Sequence, residues 1–159
     1  MSKILKEFKN KKILVTGHTG FKGSWLVFWL EMLGSKVVGI SNDIPTKPSM
    51  FQTCRLNKKI KNYRFNIQNL KKLKKVIKKH KPDFIFHLAA QSLVSKSYQI
   101  PLTTWNTNLF GTLNLLECLR QLNKKCNVVI ITSDKCYLNK ETNKGYREID
   151  ELGGKDPYS

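Results

Sequence analysis

The apolar and polar positions of the chain alternate between short β-rich runs and helical stretches. "KKILVTG" is a strand-like run that ends at Gly17. "SWLVFWLEML" then predicts a helix over 24–33 that is apolar nearly all round, the pattern of a helix covered on most sides, with Trp25 and Trp29 in the core. Gly34 supplies its stop. "KVVGIS" is a second strand, and a polar proline-containing stretch after it leads into a short helix up to Leu56. "NYRFNI" is a weaker third strand. In "NLKKLKKVIKKHKP", Leu70, Leu73, Val76 and Ile77 share one helical face and lysines fill the rest. "FIFHLAA" is the fourth strand, a long helix starts near Leu102 with Asn108 and Gly111 inside it, and "NVVIITS" is the fifth strand. From Asp134 to Ser159 the periodicity dissolves into loop.

Strands two to five are mostly continuous apolar runs, which suits a parallel sheet covered on both faces. Alternation with helices and right-handed crossovers then predicts an α/β fold: a Rossmann-type doubly wound parallel sheet with strand order 3-2-1-4-5. We expect no internal repeat and no linker.

Charge changes this picture less than its size suggests. The formal net charge is +18. Most basic residues are lysines, many on the solvated side of the helix before the fourth strand, and they lack interleaved aromatics. We therefore expect a solvated surface and no nucleic-acid partner. The longest unbroken apolar run, Trp25 to Leu30, is far too short to span a bilayer, so no membrane partner is expected. The basic start "MSKILKEFKNKK" has no apolar h-region, so no secretory signal is expected. The four cysteines, Cys54, Cys118, Cys126 and Cys136, form no C-x-x-C pair. That pattern fits a reducing cytoplasm better than a disulfide framework or a zinc site, and no metal is expected.

The chemistry starts in "VTGHTGFKGSW". Gly17, Gly20 and Gly23 stand three residues apart, directly after the first strand and opening the first helix. In that position the first glycine permits a tight turn, the second lets backbone approach a pyrophosphate, and the third lets helix pack on sheet. The helix N-terminus offers free N–H groups to phosphates. The competing reading is a purely structural turn. His18, Phe21 and Lys22 lie between these glycines and are counted with the candidate phosphate loop. His18 also reads as a polar loop residue, and His87 as a buried, satisfied histidine. An acid after the second strand would hold the adenosine ribose; Ser41 occupies the first such position and Asp43 follows, either as that acid or as a turn residue. No arginine stands there for a 2′-phosphate, which favours NAD over NADP.

Five stretches together, "TGHTGFKGSWL", "HLAAQSLVSKSY", "NTNLFGTLNLLE", "TSDKCY" and "GGKDPYS", resemble the extended short-chain dehydrogenase/reductases, the NAD-dependent epimerase/dehydratase family. The first and fourth resemble more narrowly the branch that dehydrates CDP-glucose. The resemblance runs from about Phe8 to Ser159. It implies a tightly bound NAD and conversion of CDP-D-glucose to CDP-4-keto-6-deoxy-D-glucose plus water. Another nucleotide-sugar dehydratase or epimerase, or a non-catalytic NAD-binding module, is the alternative. The resemblance also implies roles. Tyr158 of a Y-x-x-x-K motif is the base toward the C4 hydroxyl, and Ser133 holds the same oxygen. Asp134 and Lys135 are the acid and base of the elimination, an assignment open to exchange. Asn66 and Ile67 contact adenine; Ala89, Ala90 and Gln91 leave room for ribose and nicotinamide. Asn108 bridges backbone groups or takes part in the site. The family is usually dimeric, so a homodimer is implied for the full-length protein. By the same resemblance, residues 1–159 are an incomplete NAD-binding domain. The later strands, the lysine after Tyr158 and a sugar-nucleotide domain would be absent, so these residues would not complete turnover alone.

Overall fold

The computed structural model describes residues 6–159; the first part of the stretch read for a secretory signal lies outside them. Five parallel strands form one sheet in the order β3-β2-β1-β4-β5. They are β1 (Lys12–Thr16), β2 (Lys36–Ser41), β3 (Lys61–Arg64), β4 (Phe84–His87) and β5 (Asn127–Ile130). Helix α1 (Phe21–Met32) follows β1, and α2 (Met50–Thr53) with a 3-10 turn at Leu56–Lys58 follows β2. Helix α3 (Leu70–His80) joins β3 to β4. Between β4 and β5 lie α4 (Val94–Gln99), α5 (Pro101–Trp105), one wider π turn (Asn106–Phe110) and α6 (Gly111–Arg120).

The pleat sends neighbouring strand residues to opposite faces, and the core divides accordingly. Leu14 and Ile85 pack with Leu73, Val76 and Ile77 of α3 and Leu115 and Cys118 of α6. Ile13 and Val15 pack on the other face with Val27 and Leu30 of α1 and with Phe51 and Leu56. Burial of these side chains supplies the main drive for the fold, at about 25 cal/mol per Å² of apolar surface. The lysine-rich α3 needs little propensity of its own. Asn69 caps it by accepting the Lys72 N–H at 3.0 Å, and Lys81 ends it in a left-handed conformation.

Several expectations need correction. Helix α1 begins three residues earlier than its apolar pattern suggests, because Gly20 caps it and the glycine loop runs straight into the helix. It is not covered on most sides. Trp25 and Trp29 are 54% and 56% exposed, while Val27 and Leu30 face the sheet. Apolar residues all round a helix cannot by themselves say which faces are covered. The long helix begins at Pro101, near where its pattern places it, but widens into the π turn. Helix α4 was not signalled by periodicity, since its polar sequence "VSKSYQ" buries only Ser97. No helix among the described residues is long and apolar enough to cross a membrane.

Candidate functional site

In a doubly wound sheet, ligands lie beyond the carboxyl ends of the strands where the order reverses. Here that place is between β1 and β4, which pair from Ile13↔Phe84 to Thr16↔His87. The glycine loop leaves β1 there. Its three glycines have different reasons. Gly17 has φ +72°, and a Cβ would stand 2.7 Å from the Leu88 carbonyl. At Gly23 a Cβ would stand 2.8 Å from both the Gly17 carbonyl carbon and His18 Cα. Both are demanded by the protein's own packing. Gly20 is different: a Cβ would meet only the Gly17 oxygen, at 3.4 Å, an ordinary contact. The fold does not need Gly20 to be bare, so its open Cα leaves space on the ligand side. Gly20 also caps α1 without a side-chain hydrogen bond, and the first turn carries no acid. The exposed Phe21 and Lys22 start that turn. A bare helix N-terminus with a glycine cradle fits a diphosphate.

His18 is not a polar loop residue facing a ligand; its side chain is fully buried. Nδ1 lies 2.9 Å from Ser41 Oγ and Nε2 lies 2.9 Å from Asn62 Oδ1. Ser41 also accepts the Thr19 N–H at 3.3 Å. Asn62 Oδ1 can only accept, so His18 carries its proton on Nε2, and the Ser41 hydroxyl donates to the bare Nδ1. The ring stacks edge-on to Phe51 and fills the space above Gly39, where a Cβ would touch it. Burial lowers its pKa, so the neutral ring is the resident form. His18 thus ties the loop to β2 and β3 through its side chain. The Thr19 hydroxyl donates to the Asp43 carbonyl at 2.5 Å, which fixes the loop against the exposed segment after β2. That places Asp43 beside the glycine loop.

The loops after β3 and β4 are pinned to the π turn and its flanking helices. Asn66 is exposed, and its Oδ1 accepts the Gln68 N–H at 2.9 Å. The Ile67 side chain is core and rests on Gly111, where a Cβ would approach it to 2.5 Å. The Ile67 and Gln68 carbonyls accept from the Asn114 amide. Asn108 bridges backbone from within the π turn. Its Oδ1 accepts the Gln91 N–H at 2.8 Å and its Nδ2 donates to the Gln91 carbonyl at 3.0 Å. Gln91 then uses its own amide on Leu93 and Thr104. A π turn re-aims one side chain out of helical register, which is how Asn108 reaches the loop. Ala89 and Ala90 lie between this clamp and β4, with small side chains.

After β5 the arrangement is looser. Ser133 caps a 3-10 turn, Asp134–Cys136, by accepting the Lys135 N–H at 3.1 Å. Asp134 and Lys135 are exposed. Chain 137–138 pairs antiparallel with 151–153: Leu138 N–H donates to the Glu151 carbonyl and Gly153 N–H to the Cys136 carbonyl, both at 2.9 Å. Tyr158, beyond this return, is half-buried. Asp156 accepts N–H groups from Tyr158 at 2.8 Å and Ser159 at 3.1 Å, the geometry of a helix N-cap ahead of Pro157. The Ser159 hydroxyl is the main cause of its lowered pKa, and the Lys135 charge adds to it.

Sequence reasoning passed over Thr16, Thr19, Asn62, Thr112 and Asn114, the partners that hold these loops, and noted Ser41 only as the residue standing where a ribose-binding acid would be. The one available signal was small polar residues at strand ends, as in "VTG" and "GIS". No group of three or more His, Cys, Asp or Glu among the described residues is placed to hold a metal. A cavity of about 370 Å³ lies to the side, beyond β2 and β3, lined by Ile44, Asn62, Arg55, Lys58 and Arg64 among others. Arg64 is the register partner of Ser41, so a cation does stand near the end of β2.

The chain is 48% identical over 152 residues to the CDP-glucose 4,6-dehydratase of Salmonella typhimurium, a match covering 96% of this chain and 42% of the relative. It is 30% identical to the CDP-paratose 2-epimerase of Salmonella typhi, over 91% of this chain and 45% of that protein. It therefore spans less than half the length of these relatives. Among solved structures, UDP-glucose 4-epimerase of Thermotoga maritima superposes with TM-score 0.79 at 28% identity, over 92% of this chain and 46% of that one. The UDP-glucose 4-epimerase of Thermus thermophilus, solved in complex with NAD, gives TM-score 0.76 at 28% identity with the same coverage. The family model described as GDP-mannose 4,6 dehydratase matches residues 14–159. Sheet order, glycine turn and family match agree: the chain belongs to the GDP-mannose 4,6 dehydratase family, within the extended short-chain dehydrogenase/reductases.

Proposed function

We propose that these residues form the NAD-binding part of a nucleotide-sugar dehydratase that converts CDP-D-glucose to CDP-4-keto-6-deoxy-D-glucose and water. The observation that carries the cofactor part is Gly20. It is bare where the fold tolerates a side chain, at a helix N-terminus with no side-chain cap on the strand-reversal edge. The CDP-glucose part rests on the 48% identity with the Salmonella typhimurium enzyme.

Gly17, Gly20, Phe21, Lys22 and Gly23 bring backbone to the diphosphate, and His18 holds them from behind. Asp43 stands beside the adenosine ribose, and Asn66 and Ile67 beside adenine. Ala89, Ala90 and Gln91, set by Asn108, line the ribose and nicotinamide. NAD, when bound, supplies the acceptor that oxidises C4 of the glucose unit and later reduces C6. Tyr158 takes the C4 hydroxyl proton, and Ser133 hydrogen-bonds the same oxygen. Of Asp134 and Lys135, one gives a proton to the leaving C6 hydroxyl and the other removes the C5 proton. Both side chains are exposed among the described residues, open to a bound sugar.

The test is direct. The full-length protein incubated with CDP-glucose and NAD should develop the alkali-induced absorbance of a 4-keto sugar, and turnover of UDP-, GDP- or dTDP-glucose alone would overturn the substrate assignment. Arg55, Lys58 and Arg64 make NADP the competitor worth measuring. Calorimetric titration should give tighter binding of NAD than of NADP; the reverse order would reassign the cofactor.

A further inference from the structure

One buried polar chain lies behind the candidate crevice and uses residues to which the proposed reaction assigns nothing. His87 ends β4 and is 2% exposed. Its Nδ1 lies 2.7 Å from Thr16 Oγ1, and its Nε2 lies 3.0 Å from Thr112 Oγ1. The hydrogens can be placed by elimination. Thr112 donates to the Asn108 carbonyl at 2.6 Å. Its hydrogen is spent, so toward His87 it accepts, and His87 carries its proton on Nε2. Nδ1 is then bare and accepts the Thr16 hydroxyl hydrogen. Thr16 Oγ1 in turn accepts the Leu88 and Ala89 N–H groups, each at 3.2 Å. The Leu88 N–H is shared with the Thr16 carbonyl at 3.1 Å; every other hydrogen of the chain has one acceptor, and the direction runs unbroken from the loop after β4 to the π turn.

We infer that His87 is a positioning residue for the cofactor crevice: its neutral ring locks the end of β1, from which the glycine turn springs, to the helix turn that presents Asn108. Asn108 then grips Gln91 through both its backbone N–H and its carbonyl. One side chain thus fixes three parts of the site relative to one another: the glycine turn, residues 88–91 and the π turn. The inference rests on the cofactor reading above for what the crevice holds, but its geometry stands on the contacts alone. A second proton on the ring would turn Nδ1 into a donor facing Thr16. Thr16 would then receive three N–H groups and have nowhere to put its own hydrogen. The nearest neighbours are uncharged: Thr16 from β1, Ile130 as the register partner in β5, and Thr112 from α6. Burial alone holds the ring's pKa down at about 4, so the neutral form persists through the physiological range.

The experiment compares the protein with His87→Gln and His87→Ala. Glutamine carries one acceptor and one donor and has no proton to gain, whereas alanine leaves Thr16 and Thr112 facing a void. Imidazole nitrogen NMR of the wild type should show the Nε2–H tautomer at His87. Amide exchange at Ala89 and Gln91 should quicken in His87→Ala and stay near wild type in His87→Gln. NAD affinity at neutral pH should fall by about tenfold or more in the alanine variant and by less than about threefold in the glutamine variant. An Nδ1–H tautomer overturns the inference, as does wild-type exchange at Ala89 and Gln91 in His87→Ala, whether or not NAD binds. If tautomer and exchange are as expected but the wild type takes up no NAD, the cofactor reading fails, and the positioning role falls with it.

Discussion

Two stretches meet at the same edge of the sheet and are built in opposite ways. Behind the glycine turn, Thr16, His18, Ser41 and His87 are all buried. Their polar atoms are partnered, and no buried side-chain nitrogen or oxygen among the described residues lacks a partner. After β5, Ser133, Asp134, Lys135 and Tyr158 are exposed or half-buried, and local turns hold them. A buried polar network is expensive to disturb, since each orphaned group costs about 1–3 kcal/mol. A surface turn costs little to disturb. The cofactor side therefore shares its stability with the core, while the reacting groups ride on segments that can change without unfolding anything. Substitutions on the first side should move stability and binding together; on the second they should separate stability from turnover.

Gly23→Ala gives the largest expected effect. The added methyl meets backbone, which cannot swing aside as a flexible side chain can, so helix and loop must part. We expect a loss of about 3 kcal/mol or more in denaturant unfolding. Gly20→Ala sharpens the comparison within the same loop, because its methyl has room. It should keep stability within about 1 kcal/mol of wild type yet weaken NAD binding at least about tenfold in calorimetry. Equal destabilisation by the two would show that Gly20 is a structural glycine and that the ligand-side space has no use.

Next in size is the effect of pH on the buried side. The folded pKa of His87 is about 4, below the ordinary value of 6.5, because burial disfavours the charged ring. The unfolded chain therefore takes up a proton first as pH falls. Stability is complete above about pH 6.5 and declines toward pH 4, by about 3 kcal/mol from this residue. His18 is shifted in the same direction by burial and adds to the slope. Unfolding midpoints recorded across this window should fall for the wild type and fall less steeply for His87→Gln. Parallel curves for the two would mean that the His87 ring is not held neutral by the fold.

The contrast also explains what could be read from the sequence. Strand order and the glycine turn were legible because they rest on periodicity and on residue types with few alternatives. The buried face of α3 followed from the same signal at Leu73, Val76 and Ile77, whereas Leu70, which shares that face by spacing, is exposed, and the edge strand β3 is the polar KNYR rather than an apolar run. The networks behind the turn were not legible. His18 looks like a loop residue because its neighbours in sequence are loop residues; its burial comes from Asn62 and Ser41, both distant along the chain. The outer face of α1 was misread because Trp25 and Trp29 are apolar whether or not anything covers them. The π turn leaves no composition signature, yet it decides where Asn108 points. Residues 134–159 were read as loop, and they are loop with one short turn and one bridge; what the sequence withheld is that this loop folds back on itself.

The smallest effects on stability belong to the region after β5, and they bear most on catalysis. Ser133→Ala removes the acceptor for the Lys135 N–H at the head of a surface turn, where water can replace it. That should cost no more than about 1 kcal/mol. Tyr158→Phe removes a hydroxyl from a half-buried side chain whose backbone N–H, not its ring oxygen, holds the segment through Asp156. Its stability should stay within about 0.5 kcal/mol of wild type. Turnover should respond very differently. A base withdrawn from proton transfer lowers the rate by about 10²–10⁴-fold. NAD affinity should remain near wild type, because neither residue belongs to the loops that line the crevice. A Tyr158→Phe protein that turned over CDP-glucose at the wild-type rate would remove the tyrosine from the reaction. One that lost stability and NAD binding together would erase the division between the two regions, and residues 133–159 would have to be counted with the core that holds the cofactor.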